Sequence, residues 1–141
     1  MAKQYDDPGQ FFEDVLNATD EAWSEYVQEL QAQLTSRAPI DTGRLASSFY
    51  ISKGRASSAE RPPDWAPPGG KKEVAPEYTG KITFGGKWFI TNNLPYARRV
   101  AKNPVWGKNG RGFGSEWYNA TVTQKQKTWE AIISKNLRTL K

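Results

Sequence analysis

The sequence predicts an α+β fold in a single domain, residues 1–141, with a long N-terminal helix and a C-terminal helix packed on a small antiparallel sheet. Three observations support this prediction. Apolar residues recur at three- and four-residue steps near both ends of the chain. Two β-rich runs flank Gly85-Gly86, and a long proline-rich stretch precedes them.

The first helix is predicted to begin at Asp6-Asp7-Pro8, because proline is favoured at the first helical position. We expect it to end before Pro39, since a proline disfavours helical backbone in the residue before it. Its apolar stripe continues for roughly seven turns through Phe12, Leu16, Thr19, Trp23, Val27, Leu30 and Leu34.

The middle of the chain is predicted to form a hairpin and a proline-rich arm. Residues 81–84 and 87–91 are rich in β-forming residues around Gly85-Gly86, and residues 49–52 predict a further strand. Residues 54–80, here called the arm, contain five of the nine prolines and no apolar periodicity. We expect the arm to be ordered only against other chains, with Trp65 as its anchor.

The closing helix is predicted to start at Ser115, an N-cap residue, and its apolar face comprises Tyr118, Val122, Trp129, Ile133, Leu137 and Leu140. A glycine-rich loop that contains Arg111 precedes this helix. Such a loop at a helix N-terminus can bind an anion, but a plain loop is the better-supported interpretation. The pair Arg98-Arg99 fits two interpretations about equally well: a clamp that binds phosphate, or part of a short solvated helix.

Composition excludes several classes of site. The chain has no His and no Cys, which removes thiolate metal sites and Ser-His or Cys-His pairs. No cofactor, metal site or catalytic residue is expected, and an enzyme is the weakest interpretation. The chain has neither a long apolar run nor a signal-peptide pattern, so we expect a protein made in a cytoplasm, with no membrane partner.

Charge is divided unevenly along the chain. Residues 1–30 carry eight acidic side chains and one basic one, whereas residues 31–141 carry nineteen basic and seven acidic ones. Solvated faces, a nucleic acid on the basic part and subunits that meet acidic to basic all fit this division. Glu21, Glu25 and Glu29 form a ridge at four-residue spacing, which indicates a solvated helix face more strongly than a metal site.

Residues 38–49, APIDTGRLASSF, predict a structural corner between the first helix and the sheet. Pro39 imposes an extended approach, and Asp41 or Thr42 can cap a new short helix. Gly43 lets the backbone turn closely, after which Leu45 and Phe49 return the chain to the core. Nothing in this stretch requires a catalytic role.

The same stretch carries a family resemblance. RAPIDTGRLASSFYIS resembles the Pro-x-Asp-Thr-Gly-x-Leu-x-x-Ser signature of tail-completion or neck proteins of tailed bacteriophages, the lambda minor tail protein Z-like group, and ITNNLPYARRV resembles a second signature of that family. The resemblance covers about residues 8–140. The matching residues are Pro39, Asp41, Thr42, Gly43, Leu45, Ser48, Asn92, Pro95, Tyr96 and Ala97.

The resemblance implies a non-enzymatic virion protein at the head–tail junction. Such a protein would form a homo-oligomeric ring, six-fold or twelve-fold, around the channel through which genomic DNA passes without sequence recognition. Its other partners would be head–tail connector and tail proteins. Residues 100–103, VAKN, stand where the family often has a Glu-Tyr/Phe-Gly turn, and the arm is longer than the plain family needs.

Charge then predicts how the ring closes. We expect Glu21, Glu25 or Glu29 of the acidic ridge to contact basic residues of the next subunit, with Arg98, Arg99 and Arg111 among the candidates. The alternative function is a nucleic-acid-binding module that uses the basic body and exposed aromatic residues.

Overall fold

A computed structural model of the chain confirms the predicted α+β class. It describes residues 7–38, 44–62, 64–67, 72–95, 97 and 117–140. The elements in chain order are α1 (Pro8–Arg37), β1 (Tyr50–Lys53), β2 (Trp88–Thr91) and α2 (Trp117–Arg138). Within these ranges, neither helix has the length and apolarity needed to cross a bilayer.

The bounds of α1 follow from its end residues, as the sequence predicts. Asp7 is the N-cap, and its side chain accepts a hydrogen bond of 2.9 Å from the backbone N–H of Gly9. At the other end Ala38 is extended, with φ −60° and ψ 143°. This is the backbone conformation that a following proline favours, and its N–H still donates to the carbonyl of Leu34.

The predicted Gly85-Gly86 hairpin is wrong, because β2 pairs with β1 instead. The register places Tyr50 opposite Thr91 in an antiparallel pair. Gly85 and Gly86 do turn the chain with positive φ of 107° and 70°. Side chains, however, bond to the backbone before the turn: the Trp88 indole donates to the carbonyl of Thr83. The Thr83 carbonyl is thus bonded to a side chain and not to a neighbouring strand, and residues 81–83 form no strand.

The two helices are antiparallel and enclose an aromatic cluster. Trp23 and Tyr26 of α1 contact Trp129 of α2, with ring centroids 5.4 and 5.5 Å apart. Phe84 lies parallel to the Trp129 ring at 6.0 Å and edge-on to Trp23. Val27 connects this region to the sheet, since it packs with Ile51. Much of the aromatic content is therefore used in packing between elements.

The predicted stripe of α1 is buried in its C-terminal half only. Val27 and Leu34 are 4% and 3% exposed, but Phe12 and Leu16 are 66% and 64% exposed. The reason is the position of α2, which pairs Lys135 with Glu25 and ends at Arg138, three residues later. The first turns of α1 therefore extend past the end of α2.

Candidate functional site

The two regions that carry the family resemblance meet at one place in the fold. Leu45, from the first motif, is buried and packs with Phe49. Leu94 and Ala97, from the second motif, pack against the same cluster. A shared hydrophobic cluster thus joins segments that are distant in the sequence. We call this place the corner, and it comprises residues 44–49, 92–95 and 97.

Hydrogen bonds to the backbone hold the corner together. The Asn92 side-chain amide donates to the carbonyl of Leu45 at 2.8 Å, across 47 residues of chain, and its Oδ1 accepts from the N–H of Leu94 at 3.2 Å. The Ser48 hydroxyl donates to the carbonyl of Arg44 at 2.6 Å. Asn92 and Ser48 therefore satisfy main-chain groups, as a structural corner requires.

The structure describes only part of the predicted motif set. Leu45, Ser48, Asn92 and Ala97 lie at the corner, and Pro95 is an exposed turn residue beside them. Outside the described residues lie the other motif positions and the three candidate arginines: Pro39, Asp41, Thr42, Gly43, Tyr96, Arg98, Arg99 and Arg111.

The described residues of the arm, 54–62, 64–67 and 72–80, bond to their own chain, and this corrects the prediction that the arm is ordered only against partners. The Arg44 guanidinium donates to the carbonyls of Pro62 at 2.7 Å, Trp65 at 2.9 Å and Arg61 at 3.0 Å. In return, Arg61 Nε donates to the carbonyl of Ser47 at 3.0 Å. Prolines leave carbonyls without a local N–H partner, and the Arg44 guanidinium at the corner satisfies three carbonyls of the arm.

A second set of bonds fixes the later part of the arm. The fully buried Ser47 hydroxyl accepts from the N–H of Glu73 at 2.9 Å. Lys72 Nζ donates to the carbonyl of Ala38 at 2.6 Å, just past the end of α1. Burial lowers the pKa of Lys72 from its ordinary value of 10.5. These side chain to main chain contacts have no periodic signature, so sequence reasoning missed them.

Trp65 has an intramolecular neighbour, although it was predicted as an interface anchor. The Arg61 guanidinium stacks over the Trp65 ring at 3.9 Å. The ring is half-buried, and its role toward another subunit stays a prediction.

Two members of the acidic ridge of α1 pair with lysines of α2 in the same chain, and the contact of the ridge with a neighbouring subunit stays a prediction. Glu25 Oε1 lies 2.8 Å from Lys135 Nζ, and Glu29 Oε2 lies 3.1 Å from Lys125 Nζ. Both carboxylates therefore join the two helices within one chain. Glu21, the remaining member of the ridge, is exposed, and its contact with another subunit stays a prediction.

An open groove of about 750 Å³ lies between α1 and residues 77–82. Its walls carry four carboxylates and one ammonium group, from Asp20, Glu21, Glu25, Glu77 and Lys81. The Asp20 carboxylate is already an acceptor for the N–H of Phe84. The groove presents a mixed polar surface.

The described polar side chains of the corner bond to main-chain groups. Across the described part of the chain, no three acidic side chains come close enough to hold a metal ion. The hydroxyls of Ser47 and Ser48 are buried in bonds to main-chain groups. Comparison with known proteins returns no matching family model, no matching curated protein and no matching solved structure. The likeness of the two motifs to phage neck proteins therefore remains a prediction from the sequence.

Proposed function

We propose that this chain is a structural, non-enzymatic protein of the tailed-bacteriophage virion, a neck or tail-completion subunit that forms a ring around the DNA channel and joins tail to head. The observation that carries the proposal is the bond from Asn92 to the carbonyl of Leu45. It unites the two family-like motifs in one structural unit. The motif residues therefore act together, as they would if both belonged to a single family signature.

The way the corner uses its polar atoms supports a mechanical role. A site for chemistry presents nucleophiles or acid–base groups to a cavity. Here Ser48 and Asn92 bond to main-chain groups, while Arg44 holds the arm. A subunit that must bear load at a junction benefits from such cross-links between distant segments. The proposed partners are further copies of the chain, other head–tail connector and tail proteins, and genomic DNA in transit.

The second candidate function is nucleic-acid binding, and one surface favours it. Phe84 is 54% exposed, and the exposed Lys81 and Lys87 lie three residues away on either side. A base could stack on the ring while phosphates meet the ammonium groups. The other aromatic side chains of this region, Trp23 and Trp129, pack against each other. The stacking platform is therefore small.

Electron microscopy tests the proposed function in a phage whose genome encodes this chain. Particles produced without the protein should show filled heads and separate tails, and a plasmid copy should restore joining. Purified protein should form rings that persist without nucleic acid. Joined particles that form normally without the chain would contradict the proposal. For the alternative, binding to duplex DNA should fall steeply between low and moderate salt.

Asn92→Ala probes the corner in the same assay. The substitution leaves the carbonyl of Leu45 and the N–H of Leu94 without their partner, so we expect the free energy of unfolding to fall by about 1–3 kcal/mol. Chemical denaturation measures this fall, and complementation should drop with it. Asn119→Ala on the exposed face of α2 is the control and should change neither quantity. An Asn92→Ala protein as stable as wild type would show that this bond does not hold the two motifs together.

A further inference from the structure

Side chains of the corner hold part of the arm against the body of the protein. We call residues 57–62, 64–67 and 72–75 the strap. Contacts on both sides of the strap fix its ends: the N–H of Gly54 donates to the carbonyl of Lys87 at 2.8 Å, and the Tyr78 ring lies edge-on to Trp88 at 5.2 Å. The strap itself contains neither helix nor strand. Its position therefore depends on individual contacts with the rest of the chain.

The hydrogen bonds that hold the strap each join a side chain to a main-chain group. Arg44 binds three carbonyls of the strap, and Ser47 accepts a hydrogen bond from the N–H of Glu73. The Asn93 amide donates to two further carbonyls of the strap, at 2.7 and 3.0 Å. Such bonds contribute modest net stability, because water can replace each of them when the strap moves away.

The strap contributes little to the hydrophobic core. Pro67 and Ala75 are the only buried residues among those that define it. In the described part of the chain, neither the cluster around Leu45 nor the one around Val27 includes a strap residue. The strap can therefore leave the body without breaking the apolar contacts of these clusters. Segments with few buried apolar contacts open at a lower free energy than the whole domain.

One side chain links the early and the late parts of the strap. The Arg61 guanidinium stacks on Trp65 at 3.9 Å and donates to the carbonyls of Ser47 at 3.0 Å and Val74 at 3.4 Å. Arg44 in turn donates to the carbonyl of Arg61 at 3.0 Å. Residues that share partners in this way are energetically coupled. Loss of the early contacts therefore weakens the late ones.

We propose that the strap opens as a single unit while the helices and the sheet stay folded, and that this opening uncovers the corner. In the closed state Ser47 is fully buried, and both its carbonyl and its hydroxyl accept hydrogen bonds from the strap. Ser47 lies within the stretch that carries the first family-like motif, so the strap governs access to that stretch. The inference stands apart from the proposed function, because it involves no second copy and no virion partner.

Native-state hydrogen exchange of the purified full chain, resolved by NMR, tests the opening. The reporters are two amide N–H groups of the strap: that of Trp65, which donates to the carbonyl of Pro62, and that of Glu73. We expect equal protection at both, at least about tenfold below that of Val27 in the centre of α1. Equal protection at all three positions would mean that the strap opens only when the whole domain unfolds, and this would overturn the proposal.

Arg44→Ala tests whether the strap is one unit. The substitution removes the donor for carbonyls of residues 61–65, whereas the N–H of Glu73 bonds to Ser47. If the strap opens as a unit, protection should fall at both Trp65 and Glu73, by about tenfold to a hundredfold for lost hydrogen bonds to a charged group. A fall at Trp65 alone would show two independent parts and overturn the proposal.

Ser47→Ala is the converse variant, and it keeps the test decisive if Arg44→Ala does not fold. It removes the acceptor for Glu73 and should lower protection at Trp65 as well, by about threefold to tenfold. Unchanged protection at Trp65 would contradict a single unit. Arg55→Ala is the matched control, because that side chain is exposed and lies outside the strap. It should leave both reporters unchanged, and circular dichroism verifies that each variant is folded.

Discussion

The two halves of α1 share one apolar pattern and have opposite environments. In the C-terminal half, Val27 and Leu34 are buried against the sheet and the corner, and Glu25 and Glu29 pair with lysines of α2. In the N-terminal half, Phe12 and Leu16 keep the same spacing and are exposed. The comparison shows that periodicity determines which residues share a helix face but says nothing about what covers that face.

The largest expected effect compares two leucines of the same helix. Leu34→Ala removes a side chain that is 3% exposed, so the free energy of unfolding should fall by about 2–5 kcal/mol. Leu16→Ala removes one that is 64% exposed and should change it by no more than about 0.5 kcal/mol. Urea denaturation of dilute protein, where copies are dissociated, measures both. A large loss in Leu16→Ala under those conditions would mean that the chain itself covers the first turns of α1.

Arg44→Ala should have the next largest effect, because it removes the donor that satisfies three carbonyls of the arm. Hydrogen bonds to charged groups contribute about 1.5–3 kcal/mol, and we expect a loss of that size. The arm should also become sensitive to trypsin near Arg61 and Lys72. Arg55→Ala is the control, since that side chain is exposed. An arm that trypsin cuts equally fast in wild type and Arg44→Ala would show that the corner does not hold it.

A smaller effect is expected for the ion pairs between the helices. Glu29→Gln should lower the free energy of unfolding by about 0.5–1 kcal/mol, because partly exposed ion pairs contribute little. Lys125, its partner, is 14% exposed at the side chain, while Lys135 beside Glu25 is 61% exposed. Glu25→Gln should therefore cost less, and added salt should reduce both differences. Equal losses in high and low salt would point to packing rather than charge.

The smallest expected effect is a pH dependence. Burial raises the pKa of Tyr26 above its ordinary value of 10.0, because burial disfavours the charged phenolate. The contribution of Tyr26 to stability is therefore complete below pH 10 and is lost as pH rises through the folded-state pKa. Tyr26→Phe should make the alkaline fall in stability shallower, as thermal melts between pH 9 and pH 11 can measure. Lys72, whose pKa burial lowers, contributes with the opposite sign in both proteins and cancels in the comparison.

Local sequence signals predicted the helices well. Asp7 and Pro8 start α1, and the extended residue before Pro39 follows its end, because caps and proline act within a few residues. The strand at residues 49–52 also agrees closely with β1. The hairpin prediction was wrong for a reason outside the local sequence. Backbone groups of residues 83–85 form hydrogen bonds with the side chains of Asp20 and Trp88.

The sequence by itself determined where the two helices and the first strand lie, which of their faces are apolar or acidic, and where the two motifs stand. Each of these features depends on neighbouring residues. Only the tertiary structure decided the pairing of β2 with β1, the bond between Asn92 and Leu45, and the position of the arm on Arg44. It also turned two members of the acidic ridge, Glu25 and Glu29, toward α2. The physical reason is that these choices depend on contacts between residues distant in the chain. No pattern in a short window records which carbonyl a guanidinium or amide will meet.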